Sequence, residues 1–212
     1  PEETLDHFLS NLRRYRGYDW TLTLPFSGKW TVWQGFNGNW THQGVWRYAY
    51  DFVIVDEKGK RHQANGKQPA DYYCYGKEIL AIADGKVVEV KDGIKDSPFM
   101  GQCMFDFLAK DMIGNHVIVQ HEGEEYSFYA HLIPGSIKVT IGQKVKRGEV
   151  LGLLGTSGHS LEPHLYFHVQ DRLEFHRAFG LPIKFSGLSR NDEVCSEAIP
   201  IFIGDVVKKK LV

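Results

Sequence analysis

The sequence predicts an all-β domain of the barrel-sandwich type, in which mostly antiparallel sheets are joined by long loops. Several runs of strand length are rich in Val, Ile, Tyr and Phe and are bounded by Gly, Pro, Asp or Ser. Tight turns separate successive runs, as is typical of antiparallel sheets. The predicted strands lie within 48–55, 78–90, 115–121, 125–132, 149–155 and 164–169.

A short helix is expected at the N-terminus, over residues 2–16. Its apolar residues recur at helical spacing, acidic residues begin it and arginines end it, which suits the helix dipole. Gly17 follows as a stop signal. We expect the helix and a lead-in strand over 1–39, the main domain over 40–186, and a C-terminal extension packed on it over 187–212.

Two polar, glycine-containing segments, 56–76 and 91–113, are expected to be long surface loops. Loops of that length in a compact β-domain often form the walls of a binding site. The segment 139–152 carries three glycines between branched apolar residues, which predicts tight chain reversals between strands.

Composition excludes several classes of function. The 212 residues carry 25 Lys and Arg against 26 Asp and Glu, so the chain lacks the basic excess of a nucleic-acid binder or a polybasic membrane-surface protein. No run approaches the roughly 18 apolar residues of a transmembrane segment. Because it starts at Pro1 without a signal peptide, we expect a trimmed or mature product.

The cysteines carry little information. Cys74, Cys103 and Cys195 are far apart in no short motif, so neither a zinc knuckle nor a redox dithiol is expected. One disulfide among them is possible on number alone, and isolated core cysteines are the preferred interpretation.

Ten histidines are the unusual feature, and two of them lie in specific motifs. His131 belongs to Tyr-Ala-His-Leu, and His164 to Gly-x-x-Gly-x-Ser-Gly-x-Ser-x-x-Pro-His-Leu-x-Phe. His42 and Asp51 flank the start of a strand upstream. With these blocks in this order, residues 40–186 resemble the M23 (lysostaphin/LytM-like) zinc metallopeptidases, most of which cut peptide cross-links in bacterial cell walls.

The resemblance implies a site and a mechanism. Zinc would be held by His42, Asp51 and a third donor on the strand after His164, leaving one position for a water that the metal acidifies. His131 would orient that water or take its proton, and His164 would face the developing oxyanion. Imidazole suits both roles because its ordinary pKa, about 6.5, lies near neutrality.

Two departures from the family pattern affect the metal. The usual first motif of the family is His-x-x-x-Asp, whereas His42 and Asp51 here lie nine positions apart. In addition, Tyr166 occupies the third ligand position. Phenol ionises only near pH ~10, so zinc must overcome that deprotonation. His168 lies about 7 Å further along the strand, too far to substitute. We therefore expect zinc to be weak, altered or absent.

Three functions remain open. The first is a zinc endopeptidase acting on cell-wall peptide, or another short peptide, in the periplasm or outside the cell. The second is a catalytically silent domain that binds such a peptide or a partner hydrolase. The third and weaker one is a phosphocarrier related to sugar-transport IIA domains, which use two histidines. A serine hydrolase is disfavoured because no Gly-x-Ser-x-Gly turn is present.

The remaining aromatic and histidine residues have simpler interpretations. Most other histidines are expected to be structural or surface groups. Four tryptophans within 17 positions beside the site could form an aromatic wall, and core packing is expected for at least half of them: Trp30, Trp33, Trp40 and Trp46.

Overall fold

The computed structural model describes residues 20–101 and 111–210. They form mostly antiparallel β-sheet with two short 3-10 turns, which confirms the predicted all-β class. The helix predicted over 2–16, and Cys103, lie outside the described residues. Within the described ranges, no helix is long and apolar enough to cross a membrane.

Each of the six predicted runs contains a strand. The run 78–90 holds two strands instead of one, because the chain turns at Asp84, whose carboxylate accepts the backbone N–H of Arg147 at 2.9 Å. The strands are β1 (Thr21–Leu22), β2 (Lys29–Gln34), β3 (Tyr50–Val53), β4 (Glu78–Leu80), β5 (Gly85–Lys91), β6 (His116–Gln120), β7 (Tyr126–Ala130), β8 (Lys144–Val145), β9 (Val150–Leu153), β10 (Leu165–Gln170), β11 (Lys184–Phe185), β12 (Leu188–Arg190), β13 (Glu193–Val194) and β14 (Val206–Lys209).

A ten-stranded antiparallel sheet organises the described residues, in the order β13-β12-β14-β2-β3-β10-β7-β6-β5-β8. Two small sheets, the parallel pair β1-β11 and the antiparallel pair β4-β9, accompany it. The three central strands β3, β10 and β7 are not neighbours in sequence, so the sheet brings distant segments together.

The two faces of the central strands have different roles. On one face, Phe52, Phe167 and Tyr129 are fully buried in the main hydrophobic core. Because side chains alternate along a strand, the intervening residues Asp51 and Tyr166 project from the other face. That second face carries the candidate site.

A β-bulge in β2 supplies two residues to that face instead of one. Val32 pairs with Phe52 and Gln34 pairs with Asp51, so Trp33 is the extra residue between them. A bulge re-aims side chains locally, and as a result Trp33 and Gln34 both line the same groove.

The predicted glycine-rich reversals are present around β8. Gly142 and Gly148 have φ angles of 89° and 85°, a left-handed conformation that favours glycine. At Gly85, at the start of β5, glycine is needed because of space. A Cβ there would lie 2.5 Å from the backbone oxygen of Gln120.

Candidate functional site

The site is centred on Asp51, in the middle of the sheet. Its side chain is 8% exposed, and its Cα pairs across the strands with that of Tyr166. Oδ2 accepts a hydrogen bond of 2.8 Å from Nε2 of Gln34. Oδ1 is buried without a hydrogen-bond partner among the described residues.

His42 faces that oxygen from the loop after β2. Its ring is fully buried, and Nδ1 lies 3.2 Å from the carbonyl oxygen of Gly35. A carbonyl can only accept, so Nδ1 donates to it and Nε2 is the ring atom that faces Asp51. His42 Nε2 lies 3.2 Å from Asp51 Oδ1, within ion-pair distance, yet it too is without a hydrogen-bond partner.

His164 approaches the same oxygen from the start of β10. Its Nδ1 lies 2.8 Å from the carbonyl oxygen of Glu162, so Nδ1 is again the donor. Its Nε2 lies 3.6 Å from Asp51 Oδ1. The Nε2 atoms of two imidazoles therefore face one carboxylate oxygen.

His131 completes the group at the end of β7. Its φ angle of 65° is uncommon for a residue other than glycine. Nδ1 donates to the carbonyl oxygen of Ser157 at 2.7 Å, and the ring centroid lies 4.7 Å from that of His164. Burial, with a contribution from His164, lowers the pKa of His131 to about 3. The ring is consequently neutral at physiological pH.

A buried hydrogen-bond network holds the segment around His131. The Ser157 hydroxyl accepts the backbone N–H of Asn115 at 2.9 Å and donates to the carbonyl of Leu132 at 2.8 Å. The Asn115 amide also donates to the Leu132 carbonyl, at 2.9 Å. Gly114 is required there, because a Cβ would lie 2.3 Å from the Ser157 oxygen. This network fixes the carbonyl that orients His131.

Asp51 is kept ionised by its surroundings. Burial alone would raise its pKa, but nearby His42 and His164 and the hydrogen bond from Gln34 together lower the pKa below its usual range. The carboxylate therefore stays anionic in a mostly buried position.

Tyr166 lies across the strands from Asp51 and packs among aromatic rings. Its ring lies 5.8 Å from that of His42 and 6.4 Å from that of Phe175. Burial and the Asp51 charge raise the pKa of its phenol well above the usual value. The phenol is thus neutral in this environment.

A groove of about 500 Å³ opens onto Asp51, His131, His164 and Tyr166. Arg61 lies over the ring of Trp33, with 4.8 Å from its Cζ to the centroid, and is paired with the buried Glu162. Most of the wall is aromatic or aliphatic: Trp33, Trp40, Trp46, Met112, Ile113, Leu161 and Phe175. A volume and lining of this kind suit a short peptide or a similar small ligand.

The expectation that at least half of the four tryptophans pack in the core is wrong. Trp30 is in the core, whereas Trp33, Trp40 and Trp46 line the groove. Sequence reasoning missed Gln34, Arg61, Asn115 and Ser157. Their positions depend on a bulge and on long-range loop contacts, for which the linear sequence carries no periodic signal.

The side chains at the site meet the requirements of a bound cation only in part. Within residues 20–101 and 111–210, no three His, Cys, Asp or Glu side chains form a ready metal-binding group. However, the 3.2 Å between His42 Nε2 and Asp51 Oδ1 is close to the distance of about 3.3 Å expected between two ligands of one tetrahedral zinc. Two facing buried polar atoms, neither of which has a hydrogen-bond partner, form a pattern that a bound cation resolves.

The sequence model of peptidase family M23 matches residues 70–176, just over half of the chain. The chain belongs to peptidase family M23. The matched residues include His131, His164 and Tyr166, whereas His42 and Asp51 precede them.

Several curated proteins are similar to this M23 chain. The glycyl-glycine endopeptidase ALE-1 of Staphylococcus capitis is 28% identical over 127 residues, covering 55% of this chain and 30% of that protein. The peptidoglycan DD-endopeptidase ShyA of Vibrio cholerae is 41% identical over 56 residues, 26% of this chain and 13% of that protein. A metalloprotease of Buchnera aphidicola is 33% identical over 94 residues, 44% and 20% respectively. The chain therefore spans less than a third of each of these relatives.

Solved structures of M23 proteins are more distant. The catalytic domain of a mutant of EnpA, a prophage-encoded M23 protein of Enterococcus faecalis, has a TM-score of 0.48 and 17% identity, covering 76% of this chain and 93% of that one. The catalytic domain of lysostaphin from Staphylococcus simulans has a TM-score of 0.40 and 21% identity, covering 73% and 88%. The family assignment stands on the sequence match.

Proposed function

We propose that this M23 chain is a zinc metalloendopeptidase directed at peptides of the bacterial cell wall. The observation that carries the proposal is the pair of buried, facing polar atoms, His42 Nε2 and Asp51 Oδ1, at a groove large enough for a short peptide. The names of two relatives, a glycyl-glycine endopeptidase and a peptidoglycan DD-endopeptidase, support the substrate class. That substrate would place the protein in the periplasm or outside the cell.

In this mechanism His42 and Asp51 hold the metal. The chemistry that zinc supplies when bound is polarisation of a carbonyl and a lowered pKa of water. Gln34 orients the Asp51 carboxylate through its 2.8 Å hydrogen bond to Oδ2, as outer partners of metal ligands commonly do.

His131 is the proposed proton acceptor. Its Nδ1 proton is held by the Ser157 carbonyl, so the remaining lone pair on Nε2 is available at the groove. The low pKa keeps that lone pair unprotonated at neutral pH. Because such an imidazole is a weak base, it accepts a proton only from a water that has already been acidified.

The family resemblance assigns the third metal position to Tyr166 and the oxyanion to His164. Both residues line the groove beside His131.

A catalytically silent domain that binds the same peptides is the second candidate. It is favoured by the lack of a ready three-residue metal group among the described residues. In this alternative the aromatic groove would bind peptide without cutting it.

One experiment separates the two candidates. The protein, purified without chelators and incubated with zinc, is dialysed and its metal content measured, and purified peptidoglycan is then tested for release of new amino groups. Zinc at one equivalent, and turnover abolished by chelation and restored by zinc, are expected. Asp51→Ala serves as the matched inactive variant. Turnover that survives exhaustive chelation contradicts the metallopeptidase, and peptide binding without zinc or turnover establishes the silent domain.

A further inference from the structure

Arg61 brings a positive charge into the wall of the groove. It lies between β3 and β4, where its carbonyl accepts the backbone N–H of Tyr73 at 3.1 Å and the next residue, His62, forms a β-bridge with Tyr72. Among the described residues that line the groove, Arg61 is the single lysine or arginine. The backbone thus holds a fixed positive charge where a ligand in the groove would meet it.

Two contacts hold the guanidinium of Arg61. Its Cζ lies 4.8 Å from the centroid of the Trp33 ring, and its Nε is paired with the carboxylate of Glu162. The Glu162 side chain is 5% exposed and does not line the groove, so its charge is presented to Arg61 and not to a ligand. Arg61 is 38% exposed, and its two terminal nitrogens make no hydrogen bond within the described residues. The outer edge of the guanidinium can therefore donate to a ligand.

The chemistry of that edge favours a carboxylate. Two parallel N–H groups match the two oxygens of a carboxylate, and the opposite charges strengthen both hydrogen bonds. A peptide carbonyl offers one oxygen and no net charge, so it gains less from the same edge. Because Trp33 and Glu162 already hold the Arg61 side chain, little rotational freedom is lost when a ligand binds.

Arg61 lies within reach of a peptide held at the candidate site. The Trp33 ring that Arg61 covers lies 5.8 Å from the ring of His164, centroid to centroid. An extended chain advances roughly 3.3–3.6 Å per residue, so the guanidinium is within about three peptide residues of His164. A carboxylate bound by Arg61 would belong to a residue close to the bond held at the site.

We propose that Arg61 is a specificity-determining residue that selects peptides carrying a carboxylate within about three residues of the bond to be cut. The carboxylate is either an acidic side chain or a free C-terminus. The inference rests on the proposed peptide groove and names a chemical feature of its substrate. Binding through Arg61 requires no metal, so it can be measured with a chelator present.

Four acetylated tetrapeptides test the preference. They are Ala-Ala-Ala-Ala with a free C-terminus, the same peptide as its C-terminal amide, and the amides of Ala-Ala-Glu-Ala and Ala-Ala-Gln-Ala. Dissociation constants are measured by calorimetry with a chelator present. At least one carboxylate peptide should bind the parent protein about ten-fold or more tightly than its neutral counterpart. The pair that shows the gain identifies the source of the carboxylate.

Variants assign the preference to Arg61. Arg61→Gln should remove the difference by weakening the carboxylate peptides, and Arg61→Lys should keep part of it, because an ammonium lacks the planar fork. Since Arg61→Gln leaves Glu162 buried without its partner, the double variant Arg61→Gln with Glu162→Gln repeats the test without an unpaired charge. Arg47→Gln is the matched control: Arg47 also lies over an aromatic ring, 5.3 Å from Cζ to the Tyr48 centroid, but does not line the groove.

Three results would overturn the role of Arg61. They are equal binding of all four peptides, no binding of any of them, and a preference that survives in both Arg61→Gln and the double variant. Zinc-dependent turnover would leave the metallopeptidase standing after any of these. Conversely, a preference that depends on Arg61 in a protein without turnover supports the role of Arg61 in a domain that binds peptide without cutting it.

Discussion

His42 Nε2 and Asp51 Oδ1 face each other at 3.2 Å, and both atoms are buried without a hydrogen-bond partner. The Gly35 carbonyl accepts from Nδ1 of the His42 ring, so Nε2 is the ring atom that faces the carboxylate. Leaving buried polar atoms unpaired is costly. Such local conflicts are expected at functional sites, where stability is given up for binding.

Replacing Asp51 by Asn should destabilise the metal-free protein at neutral pH. The surroundings lower the pKa of Asp51 below its usual range, so the folded protein favours the carboxylate over a neutral group at this position. We expect the free energy of unfolding to fall by about 1 kcal/mol or more, measured in urea with a chelator present. Zinc binding should be lost in the same variant.

Asp51→Ala is the comparison for that measurement. It removes the charge, the hydrogen bond from Gln34 and part of the side-chain volume, so it should destabilise more than Asp51→Asn. Equal or higher stability of Asp51→Asn relative to the parent would contradict the prediction, because it would show that the folded protein does not favour the carboxylate.

Gln34→Leu should weaken zinc binding without removing a ligand. Gln34 Nε2 donates to Asp51 and to Thr41, each at 2.8 Å, and thereby fixes the carboxylate. Loss of an outer partner of this kind typically lowers metal affinity about 10–100-fold. Competition titration measures the effect, with Gln120→Leu, on a strand away from the groove, as control. Unchanged affinity would mean that Asp51 is positioned by the backbone alone.

The strands were predictable because period and composition are local properties. His131, His164 and Asp51 were found through motifs, and the structure places them around one groove, with the buried His42 beside Asp51. Gln34 could not be found this way. It lies opposite Asp51 only because Trp33 bulges out of β2, and a bulge leaves the residue pattern almost unchanged.

The hydrogen bonding of the site could not be predicted from the sequence either. Which nitrogen of His164 carries the proton depends on a carbonyl two residues earlier, at Glu162. The backbone of the short segment before β10 sets that geometry. The sequence pattern alone therefore identified His164 by its position in the motif and could not show how its ring is held.

Ser157→Ala should disturb His131 from a distance. The Ser157 hydroxyl links Asn115 and Leu132 and so holds the carbonyl that accepts from His131. A small displacement of a reacting group can cost up to about 100-fold in rate, so kcat should fall while KM changes little. Nitrogen-15 spectra of the His131 ring should show a mixed tautomer.

Ser136→Ala is the matched control for Ser157. Its hydroxyl is also buried and is bonded to the backbone of Leu153, but it touches no histidine. A general loosening of the fold would affect both variants alike. If the His131 spectrum is unchanged in Ser157→Ala, the network only supports the fold.

Buried histidines should make stability fall in mild acid. Burial lowers the pKa of His168, packed between Phe128 and Phe175, to about 3, from about 6.5 in an unfolded chain. Between these values the unfolded chain binds one more proton, so the free energy of unfolding decreases as pH falls through that window. Each such group contributes a slope of about 1.4 kcal/mol per pH unit, and its full contribution is present above pH 6.5.

His168→Gln tests this dependence. Glutamine cannot titrate but can still donate to Gln170, the partner of His168 Nε2 at 2.6 Å. Urea unfolding between pH 4 and 7 should therefore give a shallower slope in this variant by about 1.4 kcal/mol per pH unit, with His131 still contributing its own share. The exposed His176→Gln should keep the parent slope. Parallel curves for the parent and His168→Gln would mean that the pKa of His168 is not lowered in the folded protein.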